Sequence, residues 1–309
     1  MKQFKVCFVG IGSIAKRHIE NLCTICEENG ILLTIDAFRR LPEKVDGVDT
    51  VYTDISHVPC DYDAVFITNP TNLHLKALRL FHEKGKHFFI EKPVVSMGQI
   101  AEAEEVELRA DSIYYVACPL RYNAVIRYLK EHLNPEDVIS VRSISSSYLP
   151  DWRPGQDYRK VYSAHKDMGG GVSIDLIHEW DYLTYLFGWP HDVKSFIGKK
   201  SQLEIDSDDY AIYISEYEKM IVELHLDYFG RKTLREIQLF TDEETIVGDI
   251  IGQSIRFLSS GEILEFHEER DDYQKRELSH FLDMIDGIVP AEDGFHHGLK
   301  VLKLTQGVI

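Results

Sequence analysis

The sequence is poor in cysteine and gives no sign of a disulfide framework. Its 309 residues include five cysteines, an odd number at scattered positions: Cys7, Cys23, Cys26, Cys60 and Cys118. Such usage is typical of a reducing compartment, so we expect a cytoplasmic location. Cys23 and Cys26 have the spacing of a redox or zinc motif, but no second pair completes a zinc site. We interpret them as two thiols on one helix face.

Long apolar runs and an excess of basic charge are also lacking. No apolar run approaches the roughly 20 residues of a membrane-spanning helix. A strand pattern begins within the first few residues, so we expect no leader peptide. The 34 basic and 51 acidic side chains give a net charge of −17. This charge argues against a nucleic-acid partner and against an anionic membrane surface.

Strand and helix patterns alternate over the first 120 or so residues. Apolar strand patterns occupy 4–9, 32–38, 63–67, 86–90 and 113–117. Helical patterns occupy 13–29, 72–84 and 97–110. Alternation of this kind is typical of βαβ units with right-handed crossovers. We therefore predict an α/β domain over residues 1–120, built on a doubly wound parallel sheet.

The pattern changes after residue 121. Helices are predicted at 121–133 and 173–187, a long strand at 137–149, short β-segments between 191 and 267, and helices near 271–287 and from 295. Short turns between the β-segments favour antiparallel pairing. We predict an α+β domain over residues 121–309 with a large, mostly antiparallel open sheet. The 173–187 helix can cover one face, and the other face can be the interface of a homodimer or homotetramer.

A glycine-rich turn directly follows the first strand, at Gly10, Ile11, Gly12, Ser13, Ile14 and Ala15. Gly10 permits the tight turn, Gly12 lets the backbone approach a pyrophosphate, and Ala15 allows close helix–strand packing. The N-terminus of the helix supplies amide donors for the phosphates. The turn predicts a dinucleotide site, and a glycine turn without a ligand is the alternative.

The end of the second strand bears on the choice of cofactor. An acidic residue there binds the ribose 2′-hydroxyl of NAD, whereas an arginine accommodates the 2′-phosphate of NADP. The chain has Arg39 and Arg40 at this point, and Asp36 lies within the strand. We predict NADP, with both arginines facing the phosphate. The alternative is two solvent-exposed arginines, with Asp36 or no residue contacting the ribose of NAD.

Polar residues also follow the strand at 63–67. The candidates in this segment are Thr68, Asn69, Pro70, Asn72 and His74. In doubly wound sheets ligands bind beyond the carboxyl ends of the strands, so we expect cofactor contacts from this group. Thr71 or Asn72 can equally cap the helix that follows.

Glu91, Lys92 and Pro93 follow the strand at 86–90. Pro93 cannot continue the sheet ladder, and its peptide bond can be cis. We expect Glu91 and Lys92 to lie beside the cofactor, where Lys92 can polarise a substrate oxygen or relay its proton. A solvated lysine at the end of a strand is the alternative.

A further candidate cluster lies in the stretch from Gly169 to Asp181. Asp175 and His178 are three residues apart in a predicted helix and therefore share a face. Imidazole titrates near neutral pH, so His178 is the candidate acid/base for alcohol–ketone interconversion. Asp175 would hold the tautomer of His178 or bind a substrate hydroxyl. The alternative is a capped helix with a structural histidine. Because Glu179 and His178 lack a third ligand, we expect no metal.

In this order the segments resemble the glucose–fructose oxidoreductase / inositol dehydrogenase / rhizopine catabolism (Gfo/Idh/MocA) family of NAD(P)-dependent sugar oxidoreductases. The matching pieces are GIGSIA, TNPTNLH, GKHFFIEKP, the helix start Arg121-Tyr122-Asn123, and GGGVSIDLIHEWDYLTYLFG. The resemblance implies a Rossmann domain, a mixed C-terminal domain on an open sheet, and hydride transfer at a sugar or cyclitol carbon. It also implies that Lys92, Asp175 and His178 form the catalytic group.

One departure from the family concerns spacing. The family more often places this Asp and His four residues apart, whereas Asp175 and His178 are three apart. Glu179 therefore takes the histidine position unless one residue is deleted before His178. The assignment of Asp175 and His178 depends on that deletion.

Four further residues are candidates for substrate binding: Arg121, Asn123, Trp152 and Arg153. The segment with Trp152 and Arg153 can bind an acidic or nucleotide-linked sugar, or it can only stiffen a loop. Two other functions fit the resemblance, a dinucleotide-binding regulator without chemistry and an NAD-dependent glycosidase. Retention of the lysine, aspartate and histidine favours the oxidoreductase over the regulator.

Overall fold

A parallel sheet of six strands organises the first part of the chain in the computed structural model, which describes residues 2–309. The strands are β1 Gln3–Val9, β2 Leu32–Phe38, β3 Thr50–Tyr52, β4 Tyr62–Ile67, β5 Gly85–Ile90 and β6 Tyr114–Val116. Their order is β3-β2-β1-β4-β5-β6 and every neighbouring pair is parallel. The predicted doubly wound sheet is therefore confirmed. Its strand order reverses between β1 and β4, which is where such sheets bind ligands.

Three helices connect these strands, α1 Ser13–Glu28, α2 His74–Phe81 and α3 Ile100–Glu104. The predicted helix at 97–110 is therefore wrong in length, because a 3-10 turn at Met97–Gln99 leads into five helical residues only. The acidic residues at 102, 104, 105 and 107 place like charges within one turn of each other, which disfavours a longer helix. Strand β3 was not predicted, since three residues carry too little pattern.

The chain divides into two compact units. Unit 1 comprises the residues up to Ala117 and Arg270–Leu299, and unit 2 comprises Cys118–Glu269 and Lys300–Ile309. The first division lies close to the predicted boundary at residue 120. The structure differs from the prediction in the return of residues 270–299 to unit 1.

Unit 2 is built on a sheet of eight strands. After helix α4 Ala124–His132 come β7 Val138–Tyr148, α5 Val172–Asp175, α6 His178–Phe187, β8 Asp192–Gly198, β9 Tyr210–Glu216, β10 Ile221–Asp227, β11 Phe229–Thr241, β12 Thr245–Asp249, β13 Ser254–Phe257 and β14 Ile263–Glu265. The strand order is β14-β13-β12-β11-β7-β10-β9-β8. Among the described strands of this second sheet only β7 and β10 pair in parallel, so the predicted mostly antiparallel sheet is confirmed.

Helix α6 covers one face of this sheet. The ring of Trp180 stands edge-on to Tyr213 of β9 with centroids 5.1 Å apart. The hydroxyl of Tyr182 lies 2.6 Å from Oγ of Ser143 in β7. On the opposite face Phe196, Ile214 and Ile221 are exposed by 67%, 43% and 45%. One face is thus closed by a helix, as predicted, and the other presents apolar side chains.

The chain ends with helices α7 Asp272–Ile285 and α8 Gly294–Leu304. Phe281 of α7 is fully buried and packs on Phe66 of β4 and Phe89 of β5, with ring centroids 6.0 and 5.4 Å apart. These contacts place α7 in the core of unit 1, because its apolar side chains complete the face of the parallel sheet. Within residues 2–309 none of the helices combines the length and apolar character needed to cross a bilayer.

Candidate functional site

The glycine turn after β1 has the backbone that a dinucleotide site needs. Gly10 has φ +92°, and a Cβ there would lie 2.7 Å from the Cα of Asn69. Its amide donates to the carbonyl of Phe38 at 3.0 Å, and Oγ1 of Thr68 donates to its carbonyl at 2.7 Å. Only glycine can adopt this conformation so close to another backbone. The ends of β1, β2 and β4 are thus tied together at the turn.

Beside this turn there is room for a ligand, together with hydrogen-bond donors at the start of α1. No described atom lies within 4 Å of a Cβ built on Gly12, and α1 begins at Ser13 without a side-chain cap from Gly12. The first amides of a helix favour an anionic group such as a pyrophosphate. Oδ1 of Asn69 is buried and has no hydrogen-bond partner among residues 2–309. The residues of the turn, Gly10–Ala15, therefore fit a dinucleotide, and Asn69 offers an acceptor to it.

His74 links two of the predicted cofactor segments. Its Nε2 lies 2.9 Å from the carbonyl of Asn69, and its Nδ1 lies 3.1 Å from the carbonyl of Pro93. Burial lowers the pKa of His74, so the ring is neutral near pH 7. Its contacts with two backbone segments give His74 a positioning role at this edge of the sheet.

The alternative reading of Thr71 and Asn72 as helix caps is wrong. In the described chain neither the 3-10 turn Thr71–Leu73 nor α2 has a side-chain cap. The carbonyl of Asn72 instead accepts a hydrogen bond of 3.4 Å from Gln99. Pro70 precedes the 3-10 turn with φ −55° and ψ 140°.

Asp36 is enclosed in unit 1. It is 3% exposed and accepts a hydrogen bond of 2.8 Å from the hydroxyl of Tyr62. Arg39 and Arg40 lie beyond the end of β2, and neither forms an ion pair within residues 2–309. The backbone amide of Arg39 donates to the carbonyl of Tyr52 at 3.0 Å. Both guanidinium groups are therefore available to an anion, while the Asp36 carboxylate is engaged inside the sheet.

Lys92 stands at the end of β5, on the same edge of the sheet as the glycine turn. The peptide bond between Lys92 and Pro93 is cis. Before it, Glu91 accepts a hydrogen bond of 3.2 Å from the Lys92 amide. Nε2 of His18, in α1, lies 2.6 Å from the other carboxylate oxygen of Glu91. A buried pair of side chains thus holds the backbone that carries Lys92.

Asp175 closes the short helix α5 in unit 2 and is 6% exposed. Oδ2 of Asp175 accepts a hydrogen bond of 2.5 Å from the hydroxyl of Tyr228, which is fully buried. Burial and then the Asp175 charge raise the pKa of Tyr228 well above its ordinary value. The phenol therefore stays protonated and is a permanent donor to the carboxylate.

The predicted helix at 173–187 is wrong in one respect, because it is broken between Asp175 and His178. Leu176 has φ −97° and ψ 31°, and α6 begins at His178. Asp175 and His178 therefore do not share the face of one helix. No glycine or proline breaks the helix here; Leu176 and Ile177 are both buried, which indicates that packing turns the backbone.

Glu179, the residue after His178, pairs with an arginine of the sheet. Its side chain is fully buried, and its Oε1 lies 2.6 Å from Nε of Arg235 in β11. The other carboxylate oxygen, Oε2, is buried and has no hydrogen-bond partner among the described residues. The assignment of the family's histidine position to His178 stays a prediction.

Arg121 and Asn123 have partners inside unit 2. Arg121 donates through Nε and Nη2 to Asp181, at 2.9 and 2.7 Å. Asn123 caps α4 by accepting from the amide of Val125 at 3.0 Å and donates to Glu268 at 3.1 Å. These contacts give both residues structural roles, so their substrate contacts stay predictions.

The arginines after β7 differ in their surroundings. Arg159 pairs with Asp157 at 2.8 Å and with Glu204 at 3.0 Å, which stiffens the loop. Arg153 is exposed and lies over the ring of Tyr162, with 5.7 Å between its Cζ and the ring centroid. It has no carboxylate partner within residues 2–309. Arg153 is thus available to a ligand, whereas Arg159 is engaged by two carboxylates.

Sequence reasoning missed His18 and Tyr228. Each acts on a candidate residue that is more than 50 positions away in the chain, at separations of 73 and 53 residues. Spacing within one element cannot signal such a pair. No group of three or more His, Cys, Asp or Glu side chains in the described chain is arranged to hold a metal ion.

Two family models match the chain. The oxidoreductase family with an NAD-binding Rossmann fold matches residues 4–116, and the GFO/IDH/MocA C-terminal domain matches residues 126–247. The two matches lie on the parallel sheet of unit 1 and on unit 2.

Curated proteins and solved structures agree with these models. An uncharacterized oxidoreductase of Bacillus subtilis is 25% identical over 194 residues, covering 60% of this chain and 54% of the relative. The scyllo-inositol 2-dehydrogenase (NAD(+)) of Bacillus subtilis is 24% identical over 193 residues, with coverage of 60% and 54%. The chain thus spans about half the length of the curated relatives it matches. The apo structure of levoglucosan dehydrogenase has a TM-score of 0.84 at 16% identity, covering 100% of this chain and 96% of that one, and shares the fold.

Proposed function

Since this chain belongs to the Gfo/Idh/MocA family of oxidoreductases, we propose that it is an NAD(P)-dependent dehydrogenase or reductase. It transfers a hydride between the nicotinamide and a hydroxyl or keto carbon of a sugar, a sugar derivative or a cyclitol. The observation that carries this proposal is that Lys92 and the glycine turn follow strands of the same sheet, β5 and β1, which are separated by β4. Both lie at the carboxyl edge of one parallel sheet, where dinucleotides bind in this architecture.

The bound nicotinamide would supply the carbon that accepts or returns the hydride. Lys92 donates a hydrogen bond to the reacting oxygen and stabilises the negative charge that develops on it. His178 takes the proton of the hydroxyl during oxidation and returns it during reduction. Asp175 binds a substrate hydroxyl or holds the tautomer of His178. Arg121, Asn123, Trp152 and Arg153 are the further candidates for substrate contacts.

NADP is the cofactor that the end of β2 favours. Asp36 is held inside the sheet by Tyr62, which removes the usual acidic ligand of the NAD ribose. Arg39 and Arg40 form no ion pair in the described chain and can meet a 2′-phosphate. Thr68, Asn69, Pro70, Asn72, His74 and Glu91 complete the proposed cofactor segment, with His74 and Glu91 acting through the backbone they hold.

A fluorescence titration with NADPH and NADH tests this proposal first. We expect tighter binding of NADPH, followed by its oxidation with a panel of keto sugars or the reverse reaction with cyclitols and sugars. Tighter binding of NADH would contradict the role of the two arginines but not the oxidoreductase. Binding without turnover on any substrate would favour a regulator, and glycoside cleavage without net cofactor turnover would favour the glycosidase.

We also propose that two copies associate through the open face of the unit 2 sheet. Phe196, Ile214 and Ile221 lie on that face and are each more than 40% exposed. A symmetric pair would remove this apolar area from water on both copies at once. Light scattering should give the mass of a homodimer or homotetramer, and Ile214→Asp should lower it. A monomeric wild-type protein would contradict the proposal.

A further inference from the structure

Backbone hydrogen bonds and a ring contact fix the position of Tyr228. It follows β10 directly, and its amide donates to the carbonyl of Asp209 at 3.0 Å. Its own carbonyl accepts from the amide of Leu149 at 3.0 Å. The edge of Trp152 meets its ring at 89°, with centroids 5.2 Å apart. Backbone and ring are therefore fixed, and the hydroxyl has one direction in which to donate.

The acceptor in that direction is Asp175, 2.5 Å away. Tyr162 is a second phenol beside the same carboxylate; its partial burial raises its pKa, and the charge of Asp175 and a hydrogen bond to it add to this. Tyr162 is 39% exposed, in contrast to the fully buried Tyr228. Two protonated phenols thus face one carboxylate, one from the end of β10 and one from the segment after β7.

A second carboxylate explains why such donors are needed. Asp208 accepts a hydrogen bond of 2.9 Å from the amide of Ser173, at the start of α5. Burial raises the pKa of Asp208, and the charge of Asp175 acts in the same direction. Two acidic groups close together disfavour each other's ionised form. Donors on Asp175 offset this repulsion and fix the orientation of its carboxylate.

We propose that Tyr228, supported by Tyr162, is the positioning residue that holds Asp175 for the dehydrogenase reaction. The proposal rests on the proposed function, in which Asp175 belongs to the reacting group. Tyr228 acts through Asp175 and contacts neither substrate nor cofactor. The segment after β7 is coupled to the same carboxylate, because Trp152 packs on the ring of Tyr228 and Tyr162 lies beside Asp175.

A double-mutant cycle tests whether Tyr228 acts through Asp175. Tyr228→Phe should lower kcat for the sugar substrate by roughly 10- to 100-fold, the range for a hydrogen bond to a charged group. The dissociation constant for NADPH should not change. In an Asp175→Asn background the same substitution should have little further effect on kcat, because the group it orients has already been altered.

Tyr213→Phe is the matched control. Tyr213 is also fully buried in this sheet, and its hydroxyl donates to the carbonyl of Thr305 at 2.7 Å. We expect Tyr213→Phe to lower Tm while leaving kcat unchanged. Should Tyr228→Phe fail to fold, Tyr162→Phe removes the exposed donor, and its smaller loss of kcat should likewise vanish with Asp175→Asn.

Three results separate the possibilities. Equal losses of kcat from Tyr228→Phe in the wild-type and Asp175→Asn backgrounds would overturn the positioning role. A loss of kcat in Tyr213→Phe equal to that in Tyr228→Phe would also overturn it, because any buried phenol would then suffice. A wild-type protein that binds NADPH but turns over no substrate would instead refute the proposed function on which the inference rests.

Discussion

Nε2 of His18 lies 2.6 Å from Oε1 of Glu91, and this pair joins α1 to the end of β5. The side chains are 2% and 13% exposed, so the contact is shielded from solvent. Since Glu91 also accepts from the amide of Lys92, α1 fixes the backbone at the candidate lysine. Helix α1, which begins at the glycine turn, therefore also holds the segment of Glu91 and Lys92 after β5.

Stability should depend on pH through Glu91. Burial raises its pKa, but the hydrogen bond and charge of His18 and the charge of Lys92 outweigh burial and hold the pKa below its ordinary value of 4.5. A carboxyl with a depressed pKa in the folded state stabilises the fold above its unfolded pKa and loses that effect as pH falls through the folded pKa. The free energy of unfolding of wild type minus that of Glu91→Gln should therefore shrink as the pH falls below 4.5.

Urea unfolding between pH 3 and pH 7 measures this difference. Glu102→Gln is the control, since Glu102 belongs to an exposed ion pair with Arg79 in the same unit. Exposed pairs contribute little, so its difference should be small at every pH. A Glu91→Gln difference that does not change with pH would show that the carboxylate is not ionised in the folded protein.

Lys92→Ala should separate binding from chemistry. We expect kcat to fall by roughly 10² or more, the range for loss of an acid/base group. NADPH binding should persist, because the glycine turn and the arginines stay in place. Lys86→Ala is the matched control in the same strand, where an exposed lysine pairs with Asp63 at 2.9 Å. Unchanged turnover in Lys92→Ala would show that the lysine has no part in the reaction.

Up to Ala117 the order of elements in unit 1 was predictable from the sequence, except for β3 and for the length of α3. The strand predicted at 32–38 is β2 Leu32–Phe38, and Gly30 before it and the two arginines after it indicate where it begins and ends. The glycine turn needed only local pattern, since strand, turn and helix are consecutive. The return of α7 to this sheet was not predictable in that way. An apolar helix face shows that a helix packs, not which sheet it packs on.

The residues of the candidate site show the same difference between local motifs and distant contacts. Lys92 and Asp175 are identifiable because each stands in a short motif. Their partners His18 and Tyr228 come from distant segments and are brought in by the packing of α1 and by the end of β10. Arg121 shows the opposite case, since a charged residue that suggests substrate binding is paired with Asp181.

The pair of Arg121 and Asp181 should be a stability determinant. The side chains are 10% and 7% exposed, and Nη2 lies 2.7 Å from Oδ1. Removing one partner of a buried pair leaves a charge without its counterion, which costs about 3–5 kcal/mol. We expect Asp181→Asn to lower the free energy of unfolding by about that amount. Glu131→Gln in the exposed pair with Arg127 should cost about 0.3–0.5 kcal/mol.

Urea denaturation measures both variants. Arg121→Met combined with Asp181→Leu should recover most of the lost stability, because no buried charge is left unpaired. If the double variant is stable but has a raised KM for the sugar, Arg121 also contacts the substrate. If Asp181→Asn is no less stable than the wild type, the buried pair does not have the structural role that we assign to it.

We expect substitutions of His178 and of its neighbour Glu179 to have opposite effects on kcat and Tm. His178→Asn should lower kcat by roughly 10²–10⁴ with NADPH binding unchanged, because the acid/base group is lost. Glu179→Gln should keep kcat and lower Tm, since Glu179 pairs with Arg235 at 2.6 Å beneath the sheet. Steady-state kinetics and thermal unfolding of the two variants, side by side, decide between them. A large loss of kcat in Glu179→Gln with an active His178→Asn would mean that the catalytic position of the family falls on Glu179, and that the pairing with Arg235 tunes a reacting carboxylate.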